Sequence, residues 1–228
     1  MTRYRVVLTG PIGSLPDWER AGREAGVEVQ VAPVLEIRAH AFELDEGTID
    51  WLLITSAQAL DSLEPHRDRL AKLPAAVVGE RSAKRLAELG LRVEVGPLAS
   101  GAELFEAWRS RLSPGVRILW PGGPLRGPIG THLRELGADL LTPQAYTTEP
   151  VPGERLPEAD AILFAAPSGV AAARERGWTG EPAGLAIGSS TAQALRESAA
   201  GLSGLEQLEE PTAEAFARWC RARAARGR

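Results

Sequence analysis

Cysteine, methionine and tyrosine are scarce in this sequence: 228 residues include one Cys, one Met and two Tyr. A lone Cys220 cannot close an internal disulfide, and the expected compartment is the cytoplasm. The three histidines, His40, His66 and His132, are scattered without ligand spacing, which argues against a metal site. No apolar run approaches the roughly 18 residues of a membrane span. The opening Met1-Thr2-Arg3-Tyr4-Arg5 leads into a strand pattern rather than a signal-peptide core. A strong charge of one sign is missing too. Lys plus Arg total 26 and Asp plus Glu 30, a net charge of −4 that gives no basic footprint for nucleic acid. With 44% hydrophobic and 25% charged residues, the chain has the balance of a folded globular protein and not of a disordered one.

Phosphate-binding signatures are also absent. No Gly-x-Gly-x-x-Gly follows the first strand pattern, which weakens a dinucleotide site. Gly122–Gly127 has P-loop glycine spacing, but Pro128 stands where the lysine belongs. Glu36, Glu80 and Glu149 are isolated and read as solvated charge rather than a paired-carboxylate site. A flavodoxin-like nucleotide enzyme is disfavoured on these grounds.

What the chain does contain is an internal repeat. Asp50–Leu60 aligns with Asp160–Val170 at an offset of 110, and Ala76–Leu86 with Leu185–Leu195 at 109. Ala102–Trp108 aligns with Ala213–Trp219, and Arg23–Gly26 with Arg134–Gly137, both at 111. Arg5–Gly10 likewise parallels Val116–Pro121. Several matches in order at nearly one offset mean duplication of a domain, since the unit is far longer than a solenoid repeat.

Within each half, short Val-, Ile- and Leu-rich runs alternate with helix-period segments. Strands are expected at 5–9, 27–31, 51–55, 75–78, 93–95, 116–120, 139–142, 161–164 and 185–187. Helices are expected at 15–25, 57–72, 82–89, 101–111, 130–136, 168–176, 191–199 and 212–225. Near-continuous apolar strands alternating with helices predict an α/β fold of parallel sheets covered on both faces. Gly26, Gly90 and Gly137 stand where left-handed helix caps are wanted. Two proline-marked extended stretches, 31–38 and 144–150, sit at matching places and read as crossings between two lobes. Trp51, Trp108, Trp120 and Trp219 read mostly as core.

Loops at the carboxyl ends of parallel strands are the default ligand sites of such folds. Here they carry Gly and small hydroxyl residues just before predicted helices: Thr55-Ser56-Ala57-Gln58, Gly79-Glu80-Arg81-Ser82, Ala99-Ser100-Gly101 and Pro121-Gly122-Gly123. The second half supplies Ala166-Pro167-Ser168-Gly169, Gly188-Ser189-Ser190-Thr191 and Pro211-Thr212. Helix amino termini bind carboxylate or phosphate without a basic protein. One such loop is explained by capping alone. Repetition in both halves supports a ligand site, because two lobes can aim several anion sites into one cleft. Tyr146, on the second crossing, has two readings: a hydroxyl facing that cleft, or a ring with a structural role. Cys220 lies in the terminal helix among Arg218, Arg221 and Arg223 and is read as a structural cysteine, with a reactive thiolate as the other reading.

Together these features resemble the uroporphyrinogen-III synthase family. The residues that carry the likeness are Thr55-Ser56-Ala57, Val78–Ala83, Gln144-Ala145-Tyr146, Ala166–Val170 and Ala186–Ala192, in order over nearly the whole chain. Two loops depart from the family pattern. Thr9-Gly10-Pro11 replaces the usual Thr-Arg-Pro, and Ala165-Ala166 replaces a Thr-Ser pair, which bears on any polar contact from either loop.

The resemblance implies two similar α/β lobes joined by two extended linkers, with the N-terminal segment swapped into the C-terminal lobe. Residues 1–34 and 149–228 would form lobe one and 38–145 lobe two, with crossings near 35–37 and 146–148. The implied reaction is cofactor-free and metal-free. It cyclises hydroxymethylbilane, with inversion of ring D through a spiro intermediate, to uroporphyrinogen III and water. Tyr146 is the expected proton donor, and Thr191 is expected to orient a carboxylate or pyrrole N–H, neither being indispensable. Substrate contacts are expected from Thr55, Ser56, Ala57, Gly79, Ser82, Gly101, Gly122, Gly123 and Arg126. In the second half they are expected from Pro167, Ser168, Gly169, Gly188 and Ser190. Arg81, Arg85 and Arg126 would help offset the net negative charge toward a polyanionic substrate, or else are surface residues. The expected partner is the tetrapyrrole substrate alone, with no nucleic acid or membrane, for a monomer in transient contact with the preceding pathway enzyme. The alternative is a non-catalytic two-lobed module that senses a tetrapyrrole or organic anion.

Overall fold

The computed structural model describes residues 3–12, 15–122, 128–198 and 201–226. The chain divides into two compact units, Met1–Ile37 with Thr148–Arg228, and Arg38–Thr147. The first unit opens with β1 (Arg5–Thr9), α1 (Pro16–Glu24) and β2 (Glu28–Val31), and β3 (Leu35–Ala39) leads out of it. The second unit begins with β4 (Trp51–Ile54), two 3-10 turns (Ala57–Ala59 and Asp61–His66) and the four-residue α2 (Arg67–Leu70). It continues through β5 (Pro74–Val78), α3 (Glu80–Glu88), β6 (Arg92–Leu98), α4 (Gly101–Trp108) and a 3-10 turn at Arg109–Arg111. β7 (Arg117–Leu119), α5 (Ile129–Glu135) and β8 (Asp139–Leu141) complete it. β9 (Tyr146–Pro150) returns to the first unit and pairs with β3 as a two-stranded ribbon. The chain ends through β10 (Ala161–Phe164), α6 (Pro167–Arg176), β11 (Ala183–Ala186), α7 (Ser189–Glu197), β12 (Gly204–Gln207) and α8 (Ala213–Arg226).

Each unit holds a five-stranded parallel sheet, ordered β12-β11-β10-β1-β2 in the first and β6-β5-β4-β7-β8 in the second. The repeat offset maps β10, β11 and β12 onto β4, β5 and β6, and β1 and β2 onto β7 and β8. The two orders are therefore the same order, as the duplication requires. The repeat extends to single hydrogen bonds at the amino edge of each sheet. Asp160 accepts the backbone N–H of Arg5 at 2.6 Å, and Asp50 accepts that of Arg117 at 2.8 Å.

Side chains of a strand alternate between faces, so each sheet feeds two cores. In the first unit Val7, Ile162 and Phe164 pack with Val170 and Leu195 on one face, while Val6, Leu8 and Leu163 pack with Phe216 and Cys220 on the other. In the second unit Leu52, Ile54 and Val77 meet Leu63, Leu70 and Leu86, and Leu53, Ala76 and Ile118 meet Leu104, Trp108 and Leu133. Each such buried aliphatic side chain contributes roughly 1.5–3 kcal/mol relative to exposure.

Local rules explain most boundaries. α1 has Pro16 in its first turn, Asp17 and Glu19 near the positive end of its dipole, Arg23 near the negative end, and Gly26 just beyond at φ +91°. Two expectations are corrected. The helix expected over 57–72 is broken into 3-10 turns and one α-turn, because Pro65 removes an N–H and disfavours α geometry at Glu64. β12 was not expected at all. It is a largely exposed edge strand whose one partner is β11, so it lacks the apolar run that marks buried strands.

Candidate active site

In each sheet the strand order reverses between two neighbours, β10 and β1 in the first unit and β4 and β7 in the second. The carboxyl ends of those strands open the crevice where such folds bind ligands. Both reversal points are braced by a side-chain hydrogen bond. Thr9 at the end of β1 is fully buried, and its hydroxyl donates to the Leu163 carbonyl at 2.8 Å. In the second unit the Trp120 indole N–H donates to Thr55 Oγ1 at 3.0 Å, joining the residues that follow β7 and β4.

The strand-end loops then reach the ribbon. Pro11 bridges Leu35 in the first unit, and Gly122 bridges Gln144 in the second, again at repeat-related positions. The Gly122 carbonyl accepts the Ala145 N–H at 2.9 Å, and the Gly122 N–H donates to Pro143 at 3.2 Å. Tyr146 follows Ala145 directly. It is half-buried, and among the described residues its hydroxyl has no hydrogen-bond partner.

The second unit's other expected residues lie on the same carboxyl rim. Ser56 caps the first 3-10 turn by accepting the Gln58 N–H, with Ala57 as the turn's first residue. Gly79 precedes α3 at φ +80° with no atom within 4 Å of where a Cβ would stand. Ser82 is buried in the first turn of α3 and not in a loop, which directs its hydroxyl away from solvent. Gly101 begins α4, whose cap is Ser100, accepting the Glu103 N–H at 3.2 Å. Gly123 and Arg126 lie outside the described residues.

In the first unit Pro167 and Ser168 are exposed at the start of α6, and Gly169 is buried against Val34 and Leu35. Gly188 precedes α7 with open space where a Cβ would stand, and Ser190 is exposed in the first turn. Thr191 is only 1% exposed, so its hydroxyl lies beneath the rim. The departures at Gly10 and Ala165 prove to be neighbours. A Cβ on Gly10 would stand 3.2 Å from the Ala165 methyl and 3.0 Å from Leu15 Cδ1.

The helix amino termini fall into two kinds. α4 and α8 are capped by the hydroxyls of Ser100 and Thr212. α3, α6 and α7 begin after Gly79, Ala166 and Gly188, which supply no side-chain oxygen, and α1, α2 and α5 likewise have no side-chain cap. Among the described residues the first-turn N–H groups of α3, α6 and α7 receive no side-chain cap, an arrangement suited to carboxylates.

The remaining candidates have structural roles. The Arg85 charge is answered by Asp61 and Glu88, whereas Arg81 is exposed. His40 hydrogen-bonds Thr147 Oγ1 at 2.8 Å, His66 donates to the Phe42 carbonyl at 2.7 Å, and His132 packs on Phe105. Among the described residues no group of three His, Cys, Asp or Glu side chains is placed to hold a metal ion. Cys220 is fully buried, and burial pushes its thiol up to about 12 against the opposing pull of Arg223 and Arg221. Sequence reasoning missed Ser62, a buried hydroxyl that donates to the Ala145 carbonyl. No local signal marks it, because its partner lies 83 residues away.

Two α/β units of one duplicated design, each with helix amino termini along the carboxyl rim of a parallel sheet, define a duplicated two-unit α/β protein. The family model for uroporphyrinogen-III synthase HemD matches residues 16–218, and the chain belongs to that family. Among solved structures it is similar to uroporphyrinogen-III synthetase from Helicobacter pylori 26695, with a TM-score of 0.66 and 19% identity over 96% of this chain and 99% of that one. It is also similar to a mutant uroporphyrinogen III synthase from the extremely thermophilic bacterium Thermus thermophilus, with a TM-score of 0.54 and 18% identity over 99% and 100%. At these identities the likeness is one of fold. No curated protein matches the chain by sequence. Family membership makes this an enzyme of tetrapyrrole biosynthesis, a cyclising lyase with a tetrapyrrole substrate. Among the described residues no helix is long and apolar enough to cross a membrane.

Proposed function

We propose that the chain converts hydroxymethylbilane to uroporphyrinogen III by gripping the substrate's carboxylates at the uncapped helix amino termini. The observation that carries this is the absence of a side-chain cap on α3, α6 and α7, all on carboxyl rims. The hydroxyl of the ring-A hydroxymethyl group is protonated and leaves as water, and the methylene carbon of the azafulvene so formed is attacked by the substituted carbon of ring D. The resulting spiro intermediate fragments and recloses with ring D inverted, and loss of a proton gives the product. The substrate cyclises unaided to the unrotated isomer, so the protein's main task is to hold a conformation that favours the spiro route. Tyr146 donates a proton to the departing hydroxyl. Thr191, beneath the α7 rim, acts by fixing that rim rather than by touching a ring. Thr55, Ser56, Ala57, Gly79, Gly101 and Gly122 on one rim, and Pro167, Ser168, Gly169, Gly188 and Ser190 on the other, shape the backbone that meets the substrate. The protein works as a cytoplasmic monomer that takes its substrate from the preceding pathway enzyme.

The test is an isomer assay. Hydroxymethylbilane is generated in situ, the purified protein is added, and the oxidised products are separated. A large excess of isomer III over a protein-free control is expected. Isomer I alone from a folded, monodisperse sample would overturn the reading.

A further inference from the structure

We infer that Ser62 is a positioning residue for Tyr146, acting through the peptide between Ala145 and Tyr146. The Ala145 carbonyl accepts two hydrogen bonds, one from the Ser62 hydroxyl and one from the His40 backbone N–H at 2.8 Å. The Ala145 N–H donates to Gly122 at 2.9 Å. His40 is itself held by its ring contact with Thr147 Oγ1 at 2.8 Å, one residue beyond the tyrosine. Because the peptide unit is planar, fixing the Ala145 carbonyl also fixes the nitrogen and Cα of Tyr146. The tyrosine thus leaves a backbone pinned from three directions, while its own hydroxyl has no partner among the described residues.

The internal repeat separates this role from packing. At the offset of 110, Ser62 corresponds to Ala172, which is equally buried in the first unit. Alanine therefore satisfies the packing at this position. A buried hydroxyl carries a desolvation penalty that its hydrogen bond must offset. The bridges Pro11–Leu35 and Gly122–Gln144 place Ile37 opposite Tyr146 in the repeat. The hydroxyl is thus present in the unit whose crossing strand carries the tyrosine and absent from the unit that carries isoleucine.

This inference rests on the proposed role of Tyr146, and the experiment separates the two. In the isomer assay Tyr146→Phe is expected to lower kcat roughly ten- to a hundredfold, about one to a few kcal/mol in the barrier. Ser62→Ala is expected to lower kcat about three- to tenfold with KM nearly unchanged. The double variant should be no slower than Tyr146→Phe alone, an outcome that general loosening of the unit would not produce. Ser62→Thr, which keeps the hydroxyl, should restore most of the rate. Should Ser62→Ala not fold, Ser62→Cys replaces it, as a near-isosteric residue with a weak donor. A slow Tyr146→Phe with an unimpaired folded Ser62→Ala or Ser62→Cys overturns the Ser62 inference alone. A Tyr146→Phe as fast as the parent overturns both.

Discussion

Trp120 and Thr55 lie 65 residues apart in sequence, yet the indole N–H of one donates to the hydroxyl of the other at 3.0 Å across the point where the second sheet reverses its strand order. Trp120 is almost fully buried, so the bond ties two strand-end loops together where little water competes. A buried hydrogen bond of this kind is worth about 1 kcal/mol net. Trp120→Phe and Thr55→Val should each destabilise the protein, and the double variant should cost about 1 kcal/mol less than their sum. Urea denaturation of the four proteins measures this. Strict additivity would mean the bond contributes nothing.

Gly10 and Ala165 are the paired departures from the family pattern, and their closeness explains why both are small. A Cβ at residue 10 must displace the end of Leu15 and press on the Ala165 methyl. Gly10→Ala should cost about 1 kcal/mol, and Gly10→Arg, the family's usual residue, about 1–3 kcal/mol through overpacking. Ala165→Gly should relieve part of the first loss. Denaturation midpoints at constant m-value would check this; a Gly10→Arg protein as stable as the parent would contradict the packing argument.

What was legible in the sequence follows from where each signal resides. β1, β4 and β10 announce themselves because strands buried on both faces must be apolar throughout, and Gly26, Gly90 and Gly137 mark helix ends because all three take positive φ. The repeat offsets made the duplication readable before any contact was known, whereas the order of strands in each sheet was seen only in the folded chain. The 57–72 segment kept its apolar spacing but lost its helix to Pro65, a local veto that periodicity does not weigh. Ser62 and Trp120 were illegible as site residues for a different reason. Their partners, Ala145 and Thr55, are remote in sequence, so only the folded backbone brings them together.

Arg117 gathers two carboxylates at the amino edge of the second sheet, pairing with Asp45 and, at 3.1 Å, with Asp139. The hydrogen bond from Arg117 holds the Asp45 carboxyl below its ordinary range. A carboxyl depressed in the folded state stabilises above its unfolded pKa, near 4, and loses that contribution as pH falls toward the folded value. Asp45→Asn should therefore flatten the acid side of the stability–pH curve below about pH 5 and leave its alkaline side unchanged. Because Asp45 is exposed, added salt should shrink the difference. Chemical denaturation across pH 2–7 at two ionic strengths, a range set by the ordinary carboxyl value, tests this. An unchanged acid limb would remove Asp45 from the account.

Cys220 shows the opposite sign. Its thiol packs beneath α8 with Phe216, and desolvation raises it to about 12, despite the opposing charges of Arg223 and Arg221. The unfolded thiol ionises near 8.5, so between that value and the folded one the unfolded chain holds fewer protons than the native protein. Its contribution to stability is therefore full below about pH 8.5 and declines as pH rises toward the folded value. Native protein at pH 8 should resist an aromatic disulfide reagent that labels one thiol per chain once denaturant is added. Cys220→Ala should cost about 1–2 kcal/mol at neutral pH through the lost sulfur contacts, yet remove the thiol's part of the alkaline decline. Rapid labelling of the folded protein would instead expose Cys220 as a reachable, ionisable thiol and overturn the structural assignment.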